Sequence, residues 1–184
     1  MTSAEYGMEQ TPQKIWTIGH STHPIDEFIA LLQDHAVQLV ADIRTIPKSR
    51  HNPQFNTSEL TASLRSAGIG YLHLKELGGL RRPGKDSRNR GWKNAGFRGF
   101  ADYMQTEEFE RALQGLVELA GRQRTVIMCA ESVPWRCHRS LIADALAVRG
   151  MKVLHIIGRS SPREHKLTNG AVVQGARVTY PGKA

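Results

Sequence analysis

Thr125-Val-Ile-Met-Cys-Ala-Glu-Ser-Val-Pro-Trp-Arg-Cys-His-Arg-Ser-Leu-Ile-Ala-Asp-Ala-Leu-Ala-Val-Arg149 is the stretch that decides the fold class of this chain. Its first four residues are an apolar, β-branched run of the length of a buried strand, and Leu141 to Val148 carry the apolar spacing of a helix. The segment Cys129 to Arg139 is then the turn between them. Lys152-Val-Leu-His-Ile-Ile157 follows as another core strand, so the whole stretch is a strand–helix–strand unit. The same alternation extends toward the N-terminus. Ile15 to Gly19 reads as a strand, and Pro24 opens an amphipathic helix through Ile25, Phe28, Ile29, Leu31 and Leu32. Val37 to Asp42 is a second strand, a helix runs from Thr57 or Ser58 through Leu60 and Leu64 to Gly68, and Ile69 to Leu74 returns as a strand. Phe100 to Met104 and Phe109 to Ala120 have helical spacing. Strand and helix in alternation predict an α/β fold, a mostly parallel sheet with helices on both faces, Rossmann-like in arrangement.

A chain of 184 residues with 40% apolar content suits one domain over 1–184. Its core is expected at 14–160, with a long basic loop inserted at 78–98 and an irregular tail at 161–184. Ala171 to Val173 is the one edge-strand candidate in that tail. Met1-Thr-Ser-Ala-Glu-Tyr-Gly-Met-Glu-Gln10 has neither the basic start nor the apolar stretch of a signal peptide, and no later run has the length of a membrane span. The expected location is cytoplasmic. Two cysteines are too few to staple a domain of this size, so metal binding or thiol chemistry outranks a structural disulfide.

The net charge of +8 is uneven: residues 1–43 sum to −5, residues 44–98 to +9 and residues 99–184 to +4. Arg81 to Arg98 holds seven basic residues against Asp86 alone, and overlaps a Gly-rich loop from Gly78 to Phe97 that is too long for a simple connector. Such a field favours an anionic partner, from a phosphorylated metabolite to a nucleic acid, and a solvated surface is the plainer alternative. Trp92 and Phe97 interleave with the cations as they do in single-strand binders, although two aromatics also anchor ordinary loops.

In a parallel α/β sheet the ligand crevice lies beyond the carboxyl ends of the strands. Those ends are Gly19-His20-Ser21, Asp42-Ile43-Arg44, Lys75-Glu76, Cys129-Ala130-Glu131 and Gly158-Arg159. If they share an edge, then His20, Ser21, Asp42, Arg44, Cys129 and Glu131 meet the turn that carries Arg136, Cys137, His138 and Arg139. Cys137, expected in the first turn of its helix with Arg136 and Arg139 beside it, has the setting that lowers a thiol pKa. Three chemistries fit. Cys137 can act as a nucleophilic thiolate with His138 or His20 as base, or form a redox pair with Cys129, although Cys-x7-Cys is not the compact spacing of dedicated oxidoreductases. A metal can also be held by Cys129, Cys137 and His138, although adjacent Cys-His ligands are geometrically awkward. The plain alternative is that the cysteines are small buried hydrophobes and that the arginines pair with Glu131 and Asp42. Arg44, Lys48 and Arg50 alternate in a proline-fixed loop suited to bidentate contact with phosphate or carboxylate. His73 reads as a core histidine, and His51 and His165 as surface residues.

Ile18-Gly-His-Ser21, the Asp42-Ile-Arg44 to Phe55 segment, Leu77-Gly-Gly79, and Cys129-Ala-Glu131 with Cys137-His-Arg139 together resemble the successive motifs of the domain-of-unknown-function 488 (DUF488) family, over roughly residues 14–160. The resemblance implies a small cytosolic protein without an established reaction. Its motif positions fall on His20, Ser21, Arg44, Arg50, Cys129, Glu131, Cys137, His138 and Arg139. Neither a P-loop nor a Gly-x-Gly-x-x-Gly after a strand is present, so no cofactor is assigned. Three functions therefore stand: an enzyme with a Cys/His/Arg crevice acting on an anionic, phosphate-containing substrate, a nucleic-acid-binding module built on the basic loop, or a Cys/His metal protein.

Overall fold

Alternate residues of the central strands feed two separate apolar layers, as a sheet covered on both faces requires. In the computed structural model, which describes residues 13–182, β1 (Lys14–Gly19) sends Ile15 into one layer and Trp16 and Ile18 into the other. The stretch Met1 to Gln10 read for a signal sequence, and the last two residues of the tail, lie outside the described residues. The chain continues through α1 (Ile25–Asp34), β2 (Leu39–Asp42), α2 (Thr57–Ser66), β3 (Gly70–His73), α3 (Ala95–Tyr103) and α4 (Glu107–Arg122). β4 (Thr125–Cys129), α5 (Arg139–Ala147), β5 (Lys152–Ile156), β6 (Arg163–Glu164), β7 (Val172–Gln174) and β8 (Arg177–Thr179) complete it.

The main sheet has the order β3-β2-β4-β1-β5-β6, parallel except for β6, and β7 and β8 form a separate hairpin. Helices α1 and α2 bury Phe28, Leu31, Leu32, Leu60 and Leu64 against one face, while α3, α4 and α5 bury Phe100, Phe109, Leu113, Leu141 and Leu146 against the other. Each such side chain contributes about 1.5–3 kcal/mol, so the two layers hold the sheet from both sides. The expected α/β architecture with helices on both faces is the observed one.

The strand order positions the site. β1 and β4 are neighbours, but β1 leads into α1 on one face and β4 leads into α5 on the opposite face. The two connections diverge and leave a crevice at their carboxyl ends, the arrangement in which open α/β sheets bind ligands. Glycine is needed at the end of β1, because a Cβ on Gly19 would lie 1.9 Å from the Glu131 carbonyl oxygen of the β4–α5 connection.

The structure departs from expectation in three places. Residues 78–94 contain neither helix nor strand, but α3 begins at Ala95, inside the expected loop, because the Asn94 side chain accepts the N–H groups of Gly96 (2.8 Å) and Phe97 (3.2 Å). The tail expected to be irregular carries β6, β7 and β8 and docks on the loop: Tyr180 N donates to Asn89 Oδ1 (2.8 Å) and Gly91 N to Tyr180 O (2.8 Å). Trp92 stacks on Phe97 at 4.6 Å and packs edge-on against Tyr180, so both aromatics have anchoring roles. His165 is not a surface residue, since its side chain is 6% exposed and bonds to Asp144. Among the described residues no helix is long and apolar enough to cross a membrane.

Candidate active site

A cleft of about 660 Å³ opens where the β1 and β4 connections diverge, and its volume is that of a small-molecule site. His20 and Ser21 after β1, Arg44 after β2, and Cys129 and Glu131 after β4 all line it, and Cys137 and His138 complete its floor. Ser21 adopts φ 47°, a left-handed conformation costly for a non-glycine residue and found mostly where a site needs a fixed turn.

The floor is a cluster of sulfur and nitrogen. Cys129 Sγ, Cys137 Sγ and one His138 ring nitrogen lie within 4.8 Å of one another. His138 Nε2 is 3.0 Å from the Leu77 carbonyl oxygen, which only accepts, so Nε2 carries the hydrogen and the Nδ1 lone pair of the neutral ring faces the sulfurs. Cys137 Sγ lies 3.7 Å from Nδ1 and accepts the Arg139 N–H at 3.4 Å. Cys137 sits just ahead of α5, not in its first turn. The neighbouring Cys137 thiol, joined by His138 and Arg139, holds Cys129 well below the ordinary thiol range although burial opposes this. Cys137, beside Cys129 and itself buried, lies well above it. The two directions belong to one pair, which gives up its first proton more readily than an ordinary thiol and its second less readily.

Arg139 lies behind the cluster with 1% exposure. One of its nitrogens donates to the carbonyl oxygens of Glu131 and Ser132, both at 3.1 Å, while its Nε and second terminal nitrogen have no partner. Among the described residues no carboxylate pairs with it directly. Burial lowers its pKa, and the negative charges that oppose this are Cys137, Cys129 and Glu131. A buried cation without a bonded counter-charge is costly, so a thiolate beside it offsets part of that cost.

The second wall is a closed network. Arg44 donates to Asp42 through Nε (2.9 Å) and a terminal nitrogen (2.6 Å), and the same nitrogen reaches the Phe55 carbonyl at 2.9 Å. Asp42 is fully buried and also accepts the Tyr71 hydroxyl at 2.8 Å. His20 donates from Nδ1 to the Ser21 carbonyl (2.9 Å), accepts from Arg44 at Nε2 (3.3 Å) and stacks on Phe55 at 4.2 Å. Burial lowers its pKa and keeps the ring neutral. Both ring nitrogens of His20 are thus engaged, one of them against Arg44.

A family model described as domain of unknown function DUF488 matches residues 24–146. The chain belongs to the DUF488 family. No curated protein and no solved structure matches it.

In this DUF488 protein the cleft gathers most of the residues expected there. Ser21, Glu131 and Arg136 line it, and Cys129, Cys137 and His138 form its floor. Arg139 turns inward to the loop carbonyls and does not line the cleft, and it meets Glu131 through the backbone, not the carboxylate. Arg50 is exposed and outside the lining. The turn closed by Ser49 N to Asn56 Oδ1 (2.8 Å) and Asn52 N to Ser49 Oγ (3.0 Å) brings Lys48, Ser49 and Asn52 to the wall instead. The cations of Arg81 to Arg98 do not line it either, and Arg81 is spent over the Tyr103 ring at 3.6 Å. Sequence reasoning gave Leu77 and Gly79 no role. The Leu77 carbonyl fixes the His138 tautomer, and a Cβ on Gly79 would stand 2.4 Å from His138 Nδ1, so the Leu-Gly-Gly motif is the seat of the imidazole.

Proposed function

We propose that the protein is an enzyme that acts on an anionic, phosphate-containing small molecule, with the Cys129–Cys137–His138 cluster as its reactive centre. The observation that carries this reading is the meeting of two thiols and an oriented imidazole on the floor of a ligand-sized cleft. Lys48 and Arg136 on the walls, and the start of α3 at Asn94 to Phe97, favour a negative group there. Cys129 is the thiolate, Cys137 donates to it, His138 takes or returns a proton through Nδ1, and Ser21 and Glu131 contact the substrate. A cytoplasmic setting keeps both thiols reduced, as this chemistry requires.

Alkylation of the metal-free protein with iodoacetamide across pH tests the reading. Cys129 is expected to react well below the pH at which an ordinary thiol does, and inorganic phosphate or a nucleoside monophosphate is expected to slow the reaction several-fold. An ordinary thiol pH profile, unchanged by either anion, would sink it. The basic loop as a nucleic-acid tract draws no support from the cleft, whose lining excludes its cations.

A further inference from the structure

We propose that Cys129 Sγ, Cys137 Sγ and His138 Nδ1 bind one divalent ion of the zinc class, leaving a fourth position open to the cleft for an anionic ligand. This rests on the reading of the cleft as the functional site and names what the cluster holds.

Geometry is the first support. Zinc bonds of about 2.3 Å to sulfur and about 2.0 Å to imidazole imply tetrahedral edges of roughly 3.6 Å between S and N and 3.8 Å between two sulfurs. The Cys137–His138 edge is already 3.7 Å, and the whole set lies within 4.8 Å, so closure needs a shift of about 1 Å or less. Neighbouring residues manage this because Cys137 is extended (φ −133°, ψ 144°) while His138 is helical (φ −55°, ψ −16°), and the bend turns both side chains to one point.

The surroundings are those of a ligand set. A metal-bound imidazole usually donates its other N–H to a carbonyl or carboxylate, and His138 does so to Leu77. The Arg139 N–H to Cys137 Sγ bond stabilises a thiolate there as well. Two thiolates and an imidazole form a soft donor set that selects zinc-like ions over magnesium or calcium. Charge then specifies the fourth ligand. Two thiolates neutralise a divalent ion and Glu131 offsets the buried Arg139, so Lys48 and Arg136 on the walls leave the cleft positive and the open position favours a hydroxide or a substrate oxyanion. Three protein ligands and one open position make a catalytic site, not a closed structural one.

Cobalt(II) titrated into the reduced full-length protein is expected to saturate at one equivalent, with a thiolate-to-cobalt charge-transfer band and the visible bands of a tetrahedral site. Zinc should displace it. Cys129→Ser and Cys137→Ser should each remove the charge-transfer band or strongly weaken binding. Gly79→Ala keeps all three ligands but drives a methyl into the imidazole, and should weaken cobalt binding about 10–100-fold while both thiols remain available to alkylation. Inorganic phosphate should shift the visible bands. Absence of a charge-transfer band in the reduced wild type, or an undiminished one in Cys137→Ser, overturns the metal site, and a spectrum that phosphate leaves unchanged overturns the open position. If the thiols alkylate as proposed but cobalt gives no band, the thiolate reading stands and the metal falls. If cobalt binds while phosphate neither shifts its bands nor protects the thiols, the anionic substrate falls and the metal remains.

Discussion

Two buried polar clusters meet α5, and they differ in whether their hydrogen-bonding capacity is used up. On the tail side Asp144, fully buried, accepts His165 Nε2 (2.7 Å), Thr168 N (2.9 Å) and the Tyr180 hydroxyl (2.6 Å). His165 Nδ1 then accepts from His155 Nε2 (2.9 Å), and His155 Nδ1 accepts the Thr17 hydroxyl (2.8 Å). Every ring nitrogen has one partner, so nothing is left for a ligand. On the cleft side the Nδ1 lone pair of His138 faces two sulfurs, and two nitrogens of Arg139 have no partner. A saturated network spends its polar groups on holding the chain together, whereas an unsaturated one at a cleft keeps valences for chemistry.

Removing the carboxylate breaks the first network most severely. Asp144→Ala leaves two buried donors and a backbone N–H unpaired, and should cost about 3–5 kcal/mol in chemical denaturation. Asp144→Asn retains an acceptor on each side only in part and should cost less, and because it touches no cleft residue it should leave the pH profile of thiol alkylation unchanged. A loss below about 1 kcal/mol for Asp144→Ala would show that the tail is not held through this carboxylate.

Acid should open the same network. Burial, followed by the charges of His165, Arg139 and Arg163, pushes the His155 pKa down to about 3, with Asp144 opposing. The unfolded chain therefore takes up a proton near pH 6.5 that the folded chain refuses until about pH 3. Its contribution to stability is complete above pH 6.5 and is lost as the pH falls through that window, with a slope approaching about 1 kcal/mol per pH unit. Denaturation midpoints between about pH 7 and pH 4 should fall for the wild type and less steeply for His155→Gln. Equal slopes would assign the acid sensitivity to other groups, among them His20, whose pKa burial also lowers.

The contrast between the two clusters also marks where the sequence is legible. Strand bodies such as Thr125 to Met128 and helix faces such as Phe28, Leu31 and Leu32 announce themselves, because burial selects apolar residues at fixed periods. The strand-end rule then finds Cys129, Cys137 and His138 from separate segments. It does not tell a polar residue facing the cleft from one facing inward, since Arg44 and Arg139 have the same side chain whether they meet a substrate or a carbonyl. Lys75 and Glu76 follow β3 at the sheet margin and do not reach the cleft. His165 and Tyr180 join Asp144 from the tail, a pairing over 21 and 36 positions that no local pattern encodes. Leu77 packs its side chain in the core and reaches the site only through its carbonyl, which leaves no trace in residue type, and Gly79 is explained only once the His138 ring lies against it.

The finest test of the contrast uses three surface cations that the sequence treats alike. Lys48 and Arg136 line the cleft, while Arg50, two residues after Lys48, lies outside the lining. All three are exposed, so alanine at any of them should change stability by no more than about 0.5 kcal/mol. Protection of Cys129 by inorganic phosphate should separate them. Lys48→Ala and Arg136→Ala should each weaken it, with an effect that shrinks as salt rises because the interaction is between solvent-exposed charges. Arg50→Ala should protect as the wild type does. If all three lose protection equally, phosphate responds to the general positive field of residues 44–98 and not to the cleft wall, and the distinction between lining and surface would fail for the charges while still holding for the sulfurs.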